Sequence, residues 1–176
     1  QVHKEKDRPD TSESRMWVYS SAKRADIQLR CFEYRESRSG KWARNFLEGF
    51  SGVLITDGYS GYNKVQDAEY AGCRAHLYAF LEHGEIEISN NQVENAIRPF
   101  VVGRKGWLFA DTPQGAEASA IIYSLMETAK ANSLRLDDYL LHMLSILSER
   151  AERNKDFEVD DLLPWSEEMK SWFSAV

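Results

Sequence analysis

Val53-Leu54-Ile55-Thr56 is an unbroken run of strand-forming residues that ends abruptly in Asp57-Gly58. A short apolar run bounded by a turn signal reads as a strand buried on both faces. A chain with such a strand must cover two sides of a sheet, which requires helices as well as further strands. Both are visible. Met16-Trp17-Val18-Tyr19 is rich in aromatic and branched residues and reads as a strand, and the alternation of Ile27, Leu29 and Cys31, followed by Phe32 and Tyr34, makes 26–34 a second. At 41–50 the period changes, with Trp42, Phe46, Leu47 and Phe50 on one helical face. A short polar helix or turn follows Asp57, and Glu69–Cys73 reads as another strand.

The second half is more helical. Residues 77–89 are ambiguous, helical in LYAFLEH and strand-like in EIEIS. Asn90-Asn91 opens a short helix expected to end near Pro99, because proline disfavours helix in the residue before it. An extended, partly basic stretch from Phe100 to Phe109 is expected next. Asp111-Thr112-Pro113 pairs a capping side chain with proline in the first turn and starts a helix to about Asn132, with Ala118, Ile121, Ile122, Leu125 and Ala129 on its apolar face. Another helix begins at Asp137 or Asp138, with Leu140, Leu141, Leu144 and Leu147 as its stripe, and Leu162-Leu163-Pro164-Trp165 is expected to pack as a small anchor. The order is strands, then strand–helix alternation, then helices: an α/β chain with a helical C-terminal end.

Composition removes several function classes. The 176 residues carry 28 acidic and 22 basic side chains, a net charge of −6, which argues against coating nucleic acid by bulk charge. No apolar run approaches the roughly 20 residues needed to span a bilayer. Two cysteines, Cys31 and Cys73, are too few for a disulfide scaffold, and a reducing cytoplasmic setting is expected.

Asp57 is the most suggestive side chain, since ligand sites in open α/β sheets lie at the carboxyl ends of strands. Asp-Gly also simply opens turns, and on the residues alone that reading is the commoner one. Glu94 has the capping-box spacing from Asn91 and the ion-pair spacing to Arg98, and either structural role accounts for it. Arg98, Arg104 and Lys105, interleaved with Phe100, Trp107 and Phe109, suit contact with phosphates and unstacked bases, and equally a domain rim with snorkelling arginines. Cys73 and His76 have half of a zinc-site spacing with no second pair. Gly58 and Gly61 flank Tyr59 and Tyr62 without the Gly-Lys-Ser/Thr of a phosphate loop. His3, His83 and His142 lack partners at useful spacing, and no nucleophile elbow or serine or cysteine triad signature is present.

Leu54 to Asn63, LITDGYSGYN, resembles the second-acid motif of insertion sequence 66 family transposases, and Ile86 to Pro99, IEISNNQVENAIRP, resembles their third-acid motif. Gly103 to Ala110, Ser124 to Asn132 and Leu162 to Trp165 are similar to further family strings in the same order. The resemblance implies a DDE transposase core with an RNase H-like fold: a mixed sheet with flanking helices, its first strand and helical insertion largely missing from this chain. It implies a truncated core over 1–132 and a helical C-terminal element over 133–176. Asp57 and Glu94 then match the second and third acids, catalytic and metal-binding, and Arg98, Arg104 and Lys105 become DNA-backbone contacts. The implied cofactor is a pair of Mg²⁺ (or Mn²⁺) ions for phosphoryl transfer, since such hard cations take carboxylate oxygens. The implied partner is DNA, at the insertion element's terminal repeats and its target, with a homo-oligomer also in view and neither a membrane nor a small-molecule substrate. The implied setting is a bacterial cytoplasm, on the nucleoid when DNA-bound.

Three departures temper that expectation. The family's first acid lies on a strand that would precede Gln1, and Asp7 and Asp10 are no substitutes beside Pro9. The long helical insertion expected after Cys73–His76 is mostly absent, and so are the N-terminal DNA-binding regions. Two carboxylates do not hold two metals as three do, so this chain alone is expected to be inactive. Losing the first strand should also leave its neighbours with unpaired edges. The alternative is a non-catalytic remnant, at most a DNA-binding or protein-interaction module.

Overall fold

In the computed structural model residues 13–71, 91–107, 112–153 and 157–175 are described, with the backbone alone at 92 and 103–107. Cys73, His76, the 77–89 segment and Phe109 lie outside the described residues. Within them the chain is a mixed α/β structure with two small sheets and five α-helices.

Strands β1 (Arg15–Ser20) and β2 (Arg30–Arg35) form an antiparallel ribbon with Trp17 opposite Glu33 and Val18 opposite Phe32. The second strand starts later than alternation predicts. The stretch before it is a tight loop tied by the Gln28 side-chain amide, which lies 3.0, 3.0 and 2.8 Å from the carbonyl oxygens of Ala22, Lys23 and Ala25. Helix α1 (Lys41–Phe46) follows, and β3 (Gly52–Ile55) pairs in parallel with β4 (Ala68–Ala71), with a 3₁₀ turn at Ser60–Lys64 between them. Trp17, Ala43 and Val65 form the buried centre that joins the two sheets through α1, with Trp42, Leu54, Tyr59 and Tyr62 packed around it.

Helix α2 runs from Asn91 to Trp107 with Pro99 inside it. The expected stop near Pro99 and the extended stretch from Phe100 are therefore corrected: the chain stays helical through Arg104 and Lys105. Proline there removes the bond to the Asn95 carbonyl and crowds that oxygen. Asn95, Arg98 and Pro99 are all exposed, so water can take the freed acceptor, while Ala96 and Phe100 are buried, Phe100 against Phe32.

Helix α3 (Pro113–Ala131) starts where capping chemistry indicates, with the Thr112 hydroxyl accepting from the Gly115 amide at 3.1 Å. The expected apolar face is only partly buried: Leu125 and Ala129 pack on the C-terminal core, but Ala118 is exposed. Ile121 and Ile122 are 62% and 53% exposed, and the stripe facing β2 is Ala120, Ser124, Thr128 and Asn132. The Ser124 hydroxyl accepts from the Phe32 amide at 2.8 Å, and the Thr128 hydroxyl accepts from the Arg30 amide at 3.0 Å and donates to its carbonyl at 2.9 Å. Asn132 Nδ2 donates to the Gln28 carbonyl at 2.7 Å. Four helical residues rise about 6 Å, nearly the span of two strand residues, so a polar ladder at i, i+4, i+8 tracks a strand edge. Counting apolar residues cannot find such a face.

Helices α4 (Leu136–Arg153) and α5 (Glu167–Phe173) build a second core with the end of α3, around Ala129, Leu134, Tyr139, Met143, Leu162 and Met169. In α4 the expected leucine stripe is half right: Leu140 and Leu147 pack on this core, but Leu141 and Leu144 are 71% and 60% exposed and Tyr139 and Met143 take the centre. The Tyr139 hydroxyl donates to the Leu162 carbonyl at 3.0 Å, and burial pushes its pKa up to about 12. Leu162 and Pro164 are buried, as the anchor reading expects. Helix α5 was not anticipated, although Ser166 followed by two glutamates is a capping signal, and its hydroxyl does accept from the Met169 amide at 3.2 Å.

Candidate active site around Asp57

Asp57 lies just past the end of β3, exposed, in a turn whose every residue has a mechanical reason. Its Oδ1 accepts from the Tyr59 amide at 3.1 Å, an Asx turn. Gly58 sits at φ +81°, a conformation that favours glycine. At Gly61 a Cβ would fall 2.2 Å from the Tyr59 ring. The Tyr59 ring therefore packs directly on Gly61, with Tyr62 and Trp17 at centroid separations of 5.9 and 6.4 Å.

The β2–α1 loop closes over this turn. A Cβ on Gly40 would lie 2.0 Å from the Gly61 carbonyl oxygen, so the two backbones touch. The Tyr59 hydroxyl donates to the Arg38 carbonyl at 2.5 Å, and the Arg38 guanidinium stacks over the Tyr59 ring at 4.1 Å. From there Arg38 reaches Asp57 Oδ2 at 3.4 Å. Both side chains are about half exposed, so this is a weak, screened pair. Ser37 is held by two indoles, Trp17 Nε1 to its carbonyl at 3.3 Å and Trp42 Nε1 to its hydroxyl at 3.1 Å. The phenol of Tyr62 has its pKa raised, by burial first and by the Asp57 charge second, with Arg38 opposing. Sequence reasoning missed Arg38 altogether, because nothing in its spacing links it to Asp57.

Glu94 is exposed in the first turn of α2, and among the described residues it forms no ion pair with Arg98. Asn91 is the first described residue of α2, so the capping of this helix lies outside the described residues. Arg98 is exposed on the same helix, and Arg104 and Lys105 fall in its last two turns. Among the described residues no three His, Cys, Asp or Glu side chains gather as a metal-binding group.

Comparison with known proteins adds what geometry alone does not. The uncharacterised protein y4qI of Sinorhizobium fredii is 36% identical over 109 residues, 61% of this chain but 20% of that protein. The uncharacterised protein y4jD of the same organism is 34% identical over 91 residues, 51% of this chain and 17% of its own length. The chain thus spans a fifth or less of the relatives it matches. No solved structure matches it significantly. The family model described as transposase IS66 family matches in two adjoining segments, residues 1–78 and 77–118. The acid-bearing turn and the start of α2 both fall within that match, and the chain belongs to the IS66 family of transposases.

Proposed function

We propose that this chain is part of a DNA transposase core in which Asp57 and Glu94 supply two of the three carboxylates for metal-dependent phosphoryl transfer at insertion-element ends. The observation that carries the reading is Asp57 itself: an exposed carboxylate at a strand's carboxyl end, within the matched family segment, oriented by a backbone amide. The residues fit the implied ions in kind, since both carboxylates are exposed, hard oxygen donors suited to Mg²⁺ or Mn²⁺. When bound, the ions would activate the attacking water or 3′-hydroxyl and stabilise the leaving oxygen. The chain's part is to fix the Asp57 carboxylate through the Tyr59 amide and to balance its charge with Arg38. A third acid belongs to the family's first strand, and activity is proposed for the protein that carries it.

The RNase H-like arrangement is part of the same reading. Its support is the edge pattern: among the described residues β1 and β3 are each paired on one side only, whereas the free edge of β2 is sealed by α3. A sheet lacking a central strand between β1 and β3 would have that pattern. The reading keeps 1–132 as truncated core and 133–176 as C-terminal element, assigns DNA-backbone contact to Arg98, Arg104 and Lys105, and expects multimers on DNA in the bacterial cytoplasm. The remnant alternative draws on the break in the family match at 77–78, where the helical insertion is expected.

Titration of the chain with Mn²⁺, followed by isothermal calorimetry, tests the site. Asp57→Asn and Glu94→Gln are each expected to weaken binding at least about tenfold. Unchanged binding in either variant removes that residue from the site. Strand-transfer assays on terminal-repeat DNA separate the two readings, since joined product from this polypeptide alone excludes the remnant.

A further inference from the structure

We propose that the β2–α1 loop, through Arg38 and Lys41 on an aromatic bed of Tyr59 and Trp42, is a binding site for nucleic-acid phosphates beside Asp57. The inference rests on the DNA reading above and names a contact surface that the sequence motifs did not indicate. In a chain of net charge −6, the ten residues from Arg35 to Arg44 carry four cations and one acid. Arg38, Lys41 and Arg44 are exposed. Arg38 lies over Tyr59 at 4.1 Å, and Lys41 and Arg35 lie over Trp42 at 4.0 and 4.7 Å. Rings under cations position the charged groups by cation–π contact and place aromatic surface beside them, the composition that single-stranded nucleic acid favours.

The ion pairs decide which cations are available. Arg35 is held closely by Glu33, itself largely buried, and is thereby committed. Lys41 reaches Glu36 only at 3.8 Å and Arg38 reaches Asp57 only at 3.4 Å, with all four side chains about half exposed. Pairs of that kind contribute between zero and about 1 kcal/mol, so a phosphate can replace the carboxylate at little cost. The loop is not free to swing away: Gly40 abuts Gly61, Tyr59 bonds to the Arg38 carbonyl, and two tryptophans hold Ser37. The two cations are thus presented on a fixed backbone, Arg38 within reach of the carboxylate that the reading above makes catalytic and Lys41 three residues further along. An acidic protein segment would be drawn by charge alone; the interleaved rings favour nucleic acid.

The test is fluorescence anisotropy of the 176-residue chain with labelled single- and double-stranded DNA across 50–200 mM salt, without divalent metal. Arg38→Gln/Lys41→Gln is compared with Lys23→Gln/Arg24→Gln, an equal charge change on the exposed loop between β1 and β2. The first pair is expected to weaken binding about tenfold or more and to reduce the salt slope by roughly 1.4–1.8, two phosphate contacts' worth. The control pair should do neither, and Arg38→Lys/Lys41→Arg should retain binding within about threefold. If both Gln pairs weaken binding equally, only bulk charge acts and the site is refuted while the DNA reading stands. If the parent chain binds no DNA, both fall. Binding of an acidic polypeptide as tight as that of DNA also overturns the assignment.

Discussion

Replacing Gly40 by alanine tests whether the loop and the Asp57 turn are one unit. Gly40 has φ −62° and ψ −8°, which any residue adopts, so the backbone conformation does not require glycine. Alanine there should even stabilise by about 0.4–1 kcal/mol through the unfolded chain. Against that stands contact. The new Cβ would lie 2.0, 2.7 and 2.8 Å from the oxygen, carbonyl carbon and Cα of Gly61, and all three atoms are backbone. A carbon–oxygen approach relaxes only beyond about 3.2 Å, so more than 1 Å of separation must open between segments anchored on Trp17 and Ala43. Overpacking of this kind costs about 1–3 kcal/mol, which outweighs the entropic gain. At about 2–4 °C per kcal/mol for a chain of this size, Gly40→Ala should lower Tm by several degrees. Gly115 supplies the contrast: it sits in the first turn of α3 with a Cβ site 3.4 Å from the Thr112 hydroxyl, so Gly115→Ala should raise Tm slightly. Circular dichroism melts of the two variants decide the matter. A Gly40→Ala chain as stable as the parent would refute the close approach.

Thr128→Val keeps shape but strips the hydroxyl from the Arg30 amide and carbonyl, both buried, and should cost about 1–3 kcal/mol in denaturant unfolding; a change under about 0.5 kcal/mol would remove the ladder as an edge seal. Pro99→Ala restores the bond to the Asn95 carbonyl in α2 and should stabilise by up to about 3 kcal/mol, so a fall in Tm would show that the helix needs its proline. Asp161 accepts from Arg150, which holds its carboxyl below the ordinary carboxylate range. A depressed acid stabilises above its unfolded pKa and loses that contribution as pH falls through its folded value. The NMR titration midpoint of Asp161 should therefore rise in Arg150→Gln, and acid should cost that variant less stability than it costs the parent.

Most element starts were legible because they rest on local chemistry: the apolar run of β3, the Thr112-Pro113 cap, the Asp57-Gly58 turn. What failed was deciding which face is buried. Ile121, Ile122, Leu141 and Leu144 are apolar and exposed, while Ser124 and Thr128 are polar and face the sheet, since their hydroxyls answer backbone groups that no period reveals. Pro99 misled for a related reason: the burial of Ala96 and Phe100 holds the helix together across the proline, and the orphaned carbonyl is left where water can reach it. At the site, the turn around Asp57 followed from residue type, but Arg38 depends on Gly40 meeting Gly61 across twenty-one residues, a long-range packing fact.

Asp57 satisfies a turn-forming role and a ligand role together, and one pair of substitutions separates them. Asparagine accepts from the Tyr59 amide as aspartate does and is equally at home in an Asx turn. Asp57→Asn therefore removes the charge and the Arg38 pair alone, a loss between zero and about 1 kcal/mol for so exposed a pair. Asp57→Ala also deletes the bond to Tyr59, adding about 0.5–1.5 kcal/mol. If Asp57 is a metal ligand, Mn²⁺ binding falls equally in both variants, although their stabilities differ. If it only shapes the turn, the asparagine chain loses no more than the Arg38 pair in stability and keeps whatever Mn²⁺ affinity the parent has. Stability that splits with affinity lost twice assigns both roles to one carboxylate: the turn chemistry fixes the oxygen's direction, and the charge it carries is what a cation reads.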